Sequence, residues 1–281
     1  MIMSKNILKV KNAHKRDEFI RFYNKGHKYE ITIDPKSKYT SVTTWNHNHF
    51  PKFDADAIIT NMMKGSNWNS SNKYWGMTPE QIKESWNKNG SAAADNGTML
   101  HEDIECFMNN ASLKDVSYTH DDLTKVDATT SNNSIEWNYF KNFVKDHPEL
   151  KPYRTEWMIY DEDLKLAGSI DMVYENLDGT LSIYDWKRTK ELPKTHDWNK
   201  CASNPLIAHL PDTKYWHYAL QLNTYRKILE RKYDKVITKL CLVRLHPDAD
   251  CKNYELLEVP ILDDEISKLF EQRQNEMSKT T

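Results

Sequence analysis

Asp171, Asp185 and Lys187 are the residues of this chain whose types and spacing could do chemistry. Asp185 and Lys187 stand two apart in TLSIYDWKRT, whose alternation predicts a strand, so both side chains project from one sheet face. The run before it, LAGSIDMVYE, carries Asp171, and the connection Asn176-Leu177-Asp178-Gly179 suits a tight turn with glycine in the left-handed position. That turn sets Asn176 opposite Thr180, and so Asp171 opposite Asp185. Two carboxylates and an ammonium then share one patch, with Ile170, Met172, Tyr184 and Trp186 expected on the other, packed side. Phosphodiester hydrolysis has a use for such a patch. It adds a nucleophile to an anion and releases an alkoxide, and hard divalent cations held by carboxylates neutralise charge at both steps. Asp171 and Asp185 suit Mg²⁺ or Mn²⁺, as one ion or two, and Lys187 can hold or help deprotonate the attacking water and offset transition-state charge. A lone D-x-K also recurs by chance as a solvated Asp/Lys ladder, so its context decides.

The elements that must position these residues are readable in outline. YRTEWMIY, LAGSIDMVYE and TLSIYDWKRT predict three consecutive antiparallel strands. An amphipathic helix at SIEWNYFKNFVKD precedes them. After them come a long helix, TKYWHYALQLNTYRKILERKY, strands at VITKLCLVRL and YELLEVPI, and a closing helix at DDEISKLFEQRQ. Upstream, HKYEITI and KYTSVTTW predict a hairpin split by DPKS. Helices follow at FDADAIITNMMK, at TPEQIKESWNKN with Thr78 as N-cap and Gln81 completing a capping box, and from Ala93 to Asn109. The polar stretch between Asn110 and Ser134 reads as a surface excursion. The expected fold is a mixed α/β sheet flanked by helices, with residues 1–90 as a hairpin and helical extension and 91–281 as the catalytic core of one compact unit.

Two helices carry further candidates. His101 and Glu105 stand one turn apart just after Gly97-Thr98 and could extend a carboxylate-bound metal site. Gln221 and Tyr225 are similarly spaced, with Arg226 beside them, and could present an amide, a phenol and a guanidinium to a phosphate or a base.

In their order along the chain, Gly97-Thr98…His101, Gly168…Asp171, Asp185-Trp186-Lys187 and Gln221…Tyr225 resemble the RecB-type branch of the PD-(D/E)XK nuclease superfamily over about residues 90 to 260. The resemblance implies that branch's fold and a metal-dependent phosphodiester hydrolase. It implies His101, Asp171, Asp185 and the Trp186 backbone carbonyl as metal ligands, Lys187 as the catalytic lysine, and Glu156 as an additional candidate beside Glu105, which its spacing from His101 suggests. Gln221 and Tyr225 would organise the DNA end and the lysine, with Thr98, Arg188 and Arg226 as further DNA contacts. Asp185 stands where many relatives have Glu, which keeps the ligand. SVTTW and HLPD look most like stand-alone exonucleases of large DNA viruses, phages and mitochondria. By that likeness the loop Leu192 to Lys214, with Trp198, Pro205 and His209, is a candidate part of an arch over a single strand.

Composition narrows the alternatives. Lys and Arg total 39 against 41 Asp and Glu, so any polyanion must be met by local charge. Cys106, Cys201, Cys241 and Cys251 lack both zinc spacing and the pattern by which many relatives hold an iron–sulfur cluster, so neither group is expected. With no apolar run long enough to cross a bilayer and no secretory signal, the expected setting is a reducing intracellular compartment: cytoplasm, nucleus or a viral replication site. The leading expectation is a DNA exonuclease serving replication, recombination or repair. Its rivals are an endonuclease of the same fold acting on DNA or RNA, a non-catalytic nucleic-acid-binding module, and a protein whose Asp/Lys face is only solvated sheet.

Overall fold

In the computed structural model, which describes residues 7–110 and 134–280, the architecture follows from where each strand finds its partners. After α1 (Ile7–Lys11) come a hairpin of β1 (Ile20–Tyr23) and β2 (Lys28–Ile31), the two-residue β3 (Thr40–Ser41), α2 (Val42–His47), α3 (Ala55–Lys64) and the long α4 (Pro79–Asn110). Then follow α5 (Ile135–Asp146), β4 (Lys151–Asp161), β5 (Leu166–Glu175), β6 (Leu181–Lys187), α6 (Lys214–Lys232), β7 (Ile237–Arg244), β8 (Glu255–Glu258) and α7 (Asp263–Thr280). The main sheet runs β3-β5-β6-β7-β8 with β4 also on β5; β6 and β7 are parallel, and β4, β5 and β6 form an antiparallel meander. Fold class is therefore the mixed α/β sheet that the sequence predicts.

Both sheet faces are covered, which explains why β6 and β7 read as nearly continuous apolar runs. Leu181, Ile183, Leu240 and Leu242 pack towards α2, α6 and α7. Tyr184, Trp186, Cys241 and Val243 pack towards α4 and α5 against Leu100, Ile104, Phe107, Trp137 and Phe140. The turn into β6 forms as expected. Asn176 N–H donates to the Thr180 carbonyl at 2.8 Å, and Gly179 takes φ +81, a conformation that costs glycine nothing. Pairing then proceeds from Glu175/Leu181 to Met172/Tyr184.

At Met172/Tyr184 that pairing ends. On the same edge β5 is next paired by β3, at Leu166 and Ala167, so among the described residues no strand pairs this edge from Gly168 to Asp171. Tyr225 of α6 fills part of the gap. A Cβ on Gly168 would lie 2.7 Å from the Tyr225 ring, so only glycine lets the buried phenol approach the strand here.

Four expectations need correction. Asp171 does not pair opposite Asp185, because the β5–β6 register stops at Met172/Tyr184 and Asp171 Oδ2 accepts instead from the Trp186 N–H. SVTTW is not the second hairpin strand. Ser41 ends β3 and its hydroxyl caps α2 by accepting from the Thr44 N–H at 3.1 Å, while Val42 and Trp45 are buried in the core; capping and burial outweigh the β-branched run. The true partner of β2 is the short β1. The two helices expected around Thr78–Asn89 and Ala93–Asn109 are one helix, α4, which runs through residues 90 and 91. Its Thr78/Gln81 capping box forms as predicted, at 2.8 and 3.3 Å, and the Ser91-Ala92-Ala93-Ala94 run sustains the helix past Gly90. Ile170 joins the core on the α6 side, not the face of Met172, Tyr184 and Trp186, because alternation breaks at Asp171. The excursion expected between Asn110 and Ser134 lies almost wholly outside the described residues.

Gly168→Ala is expected to lower stability by about 1–3 kcal/mol through overpacking against Tyr225. Urea denaturation measures this, and an unchanged midpoint would show that the phenol can move aside.

Candidate active site

The separation of β5 from β6 leaves the Trp186 peptide groups without a strand partner, and site residues take that place. The Trp186 N–H donates to Asp171 Oδ2 at 3.1 Å, and the Trp186 carbonyl oxygen lies 2.9 Å from His101 Nε2. A bare nitrogen lone pair at that distance from a carbonyl oxygen would be repelled, so Nε2 carries a proton and donates. In the neutral ring Nδ1 then presents its lone pair to Asp171 Oδ2, 3.5 Å away. Two acceptors facing one another suit a cation between them.

Glu156 completes that arrangement from the other side of β5. Thr155 pairs with Met172 and Trp157 with Ile170, so Glu156 stands opposite Asp171. Its φ of +41 is left-handed, a costly conformation for a residue with a side chain, and it marks the place in β4 where facing switches. Ser169 Oγ donates to Glu156 Oε2 at 2.9 Å. His101, Glu156 and Asp171 each offer a donor atom within 4.8 Å of the others. Two hard oxygens and an imidazole fit Mg²⁺ or Mn²⁺ in donor chemistry.

Asp185 plays a different part. Its Oδ2 is 2.6 Å from Lys187 Nζ, and it is 2% exposed. Burial drives its pKa up to about 7; the Lys187 charge opposes the rise and Asp171 adds to it. Burial acts to lower the Lys187 pKa, but Asp185 and Asp171 outweigh it, so the value is raised and the side chain stays an ammonium. That ammonium lies 4.3 Å from the centre of the Tyr218 ring, a cation–π contact in a mostly dry site. Glu156 is pushed up to about 8, mainly by burial and then by Asp171, with the Ser169 hydrogen bond opposing.

A recess of about 550 Å³ opens onto this centre. Gly97, Thr98, His101 and Glu105 of α4 form one wall, Glu156 and Asp171 its floor, and His27 from the β1–β2 turn its rim. The Thr98 hydroxyl donates to the Ala94 carbonyl, so it lines the recess as part of the helix. On α6, Gln221 Nε2 donates to the Tyr225 hydroxyl at 3.1 Å, and burial raises the pKa of that phenol.

Of the residues singled out in the sequence, the structure brings together His101, Glu105, Glu156, Asp171, Asp185 and Lys187, with Tyr225 and Gln221 behind them. The Trp186 carbonyl is taken by His101 here. Arg188 and Arg226 are held by carboxylates outside the recess: Arg188 Nε donates to Glu136 at 2.6 Å, and Arg226 pairs with Asp263 and Glu230. Much of the expected arch loop is packed down. Ile207 and Leu210 are core residues and His209 pairs with Glu265, while Trp198 is exposed beside a groove of about 830 Å³ shared with Ile58 and Met62. Tyr218 was missed by sequence reasoning. Its spacing from Gln221 and Tyr225, three and seven residues on one helix, was the available signal.

Residues 81–279, from the first turn of α4 to the end of α7, match the PD-(D/E)XK nuclease superfamily. None of the curated proteins matches this chain. Solved structures with partial overlap include SSO0001, 14% identical over 66% of this chain and 70% of that one, with a TM-score of 0.26. Another is a protein of Eubacterium rectale provisionally named an exonuclease, 11% identical over 64% of this chain and 78% of that one, with a TM-score of 0.27. The match in sequence takes in His101, Glu156, Asp171, Asp185 and Lys187 together, and the chain belongs to the PD-(D/E)XK superfamily of metal-dependent nucleases.

Proposed function

We propose that this protein is a Mg²⁺- or Mn²⁺-dependent DNA exonuclease of the RecB type, working from free ends and accepting single strands. The observation that carries this reading is the gap between β5 and β6, where Asp171, His101 and Glu156 gather beside the Asp185–Lys187 pair. Asp171, with His101 and Glu156, would hold the cation, and Asp185 would join as its proton leaves. Bound there, a divalent ion supplies Lewis-acid stabilisation of the phosphate and a more acidic water. Lys187 has the charge to orient that water and to stabilise negative charge as it develops on phosphate oxygens. Because its neighbours keep it protonated, it serves as a donor rather than as the base. Gln221 and Tyr225 support β5 from behind, the Tyr225 ring lying against Gly168. A recess of about 550 Å³ is of small-ligand size, which favours an unpaired strand or a frayed end over an intact duplex. Free ends arise in replication, recombination and repair, the settings that this activity would serve.

Matched linear and circular single-stranded DNA, incubated with Mg²⁺, Mn²⁺ or EDTA, test the end requirement. Metal-dependent loss of the linear form alone is expected; loss of the circle would make the enzyme an endonuclease, and loss of neither would contradict DNA cleavage. Among variants, Asp171→Asn and Lys187→Met are expected to lower the cleavage rate at least about a thousandfold while the fold persists. Gln221→Ala is expected to cost about tenfold. Steady-state rates give the ranking, and the reverse order would show the roles to be misassigned.

A further inference from the structure

The β1–β2 hairpin lies outside residues 81–279, yet its tip forms part of the rim of the recess. Glu102, Glu105, Glu156 and Asp171 make the described lining strongly acidic, and that lining contains no Lys or Arg. A polyanionic strand entering it needs a hydrogen-bonding counterpart, and the imidazoles of His101 and His27 are lining groups that carry ring N–H donors. His101 is committed to the Trp186 carbonyl. His27 is exposed, and its ring is oriented by an edge contact with Phe22, 4.9 Å between centres at 85°.

The turn itself is costly in its present form. His27 N–H closes it on the Asn24 carbonyl at 3.1 Å, and Gly26 and His27 both take positive φ, +86 and +48. Gly or Asn would accept the second position more cheaply than His. Lys25 and Lys28 are exposed close to His27 in the chain, so the hairpin tip is basic in composition. Two residues on from His27, Tyr29 is buried among Ile20, Ile31, Tyr160 and Ala167, which anchors the hairpin to the sheet.

We infer that the hairpin tip is a substrate-positioning element, with His27 contacting the phosphodiester backbone of the bound strand across the recess from Thr98. This rests on the nuclease reading and adds to it a residue that acts on substrate binding rather than on the chemical step. His27 holds the backbone by hydrogen bonding while Lys187, beside Asp185, acts on the phosphate being cut.

Steady-state cleavage of a linear oligonucleotide by wild type, His27→Gly and His27→Lys provides the test, because Gly keeps the left-handed turn without a side-chain donor and Lys adopts that conformation elsewhere in this chain, at Lys165 and Lys252. For His27→Gly, KM is expected to rise about tenfold with kcat within about twofold, and His27→Lys is expected to recover most of the loss. Binding of a fluorescein-labelled single strand to Lys187→Met protein, with and without His27→Gly, should weaken by the same factor. If wild type cleaves and His27→Gly has an unchanged KM, or loses kcat together with its melting temperature, the positioning role is wrong and the nuclease reading stands. If wild type neither binds nor cleaves the strand, both are wrong.

Discussion

Everything at the centre of this molecule depends on two strands parting company. Backbone groups removed from water must be paired, and when β6 leaves β5 beyond Tyr184 the N–H and C=O of Trp186 lose their sheet partner. Asp171 accepts from one, and His101 donates to the other. Side chains that can hold a cation are therefore fixed by the same hydrogen bonds that make the gap tolerable. Lys187, one residue beyond, is carried to the buried Asp185 by strand alternation.

The gap must also be kept open, and here the packing is specific. Gly168 has no side chain, so Tyr225 can close on the strand from α6 while Gln221 bonds to its hydroxyl. Glu156 takes a left-handed backbone opposite Asp171 and so turns its carboxylate to the cluster. Residues far apart in sequence thus answer to one local requirement. The N-terminal hairpin, outside the family-matched segment, takes part in it through Tyr29 beside Glu156 and His27 at the rim.

This division explains what could be read in the sequence. The register from Glu175/Leu181 to Met172/Tyr184 was legible because Asn-Leu-Asp-Gly admits few turns and period-two alternation does the rest, but the pairing stops one residue short of Asp171 and Asp185. The Thr78/Gln81 cap was legible for the same local reason. Failures came where a distant contact decides. Trp45 burial makes SVTTW helical, an alanine-rich run carries α4 past Gly90, and the Glu156 backbone switches facing at Asp171, moving Ile170 to the other core. The carboxylate partners of Arg188 and Arg226, Glu136 and Asp263, are distant in sequence and so could not be read there.

The central claim is that the Asp171 cluster is a cation site, and the melting temperature with and without Mn²⁺ across pH tests it most directly. Glu156 and Asp185 have folded-state values raised to about 8 and about 7, so their stabilising contribution is present at acid pH and lost as pH rises through those values. Without metal, their contribution should make the melting temperature fall between about pH 5 and about pH 8, while Mn²⁺ should raise it by an amount that grows with pH as protons leave the ligands. Asp171→Asn should remove most of that rise. No Mn²⁺-induced shift at any pH, or an equal shift in Asp171→Asn, would contradict the account.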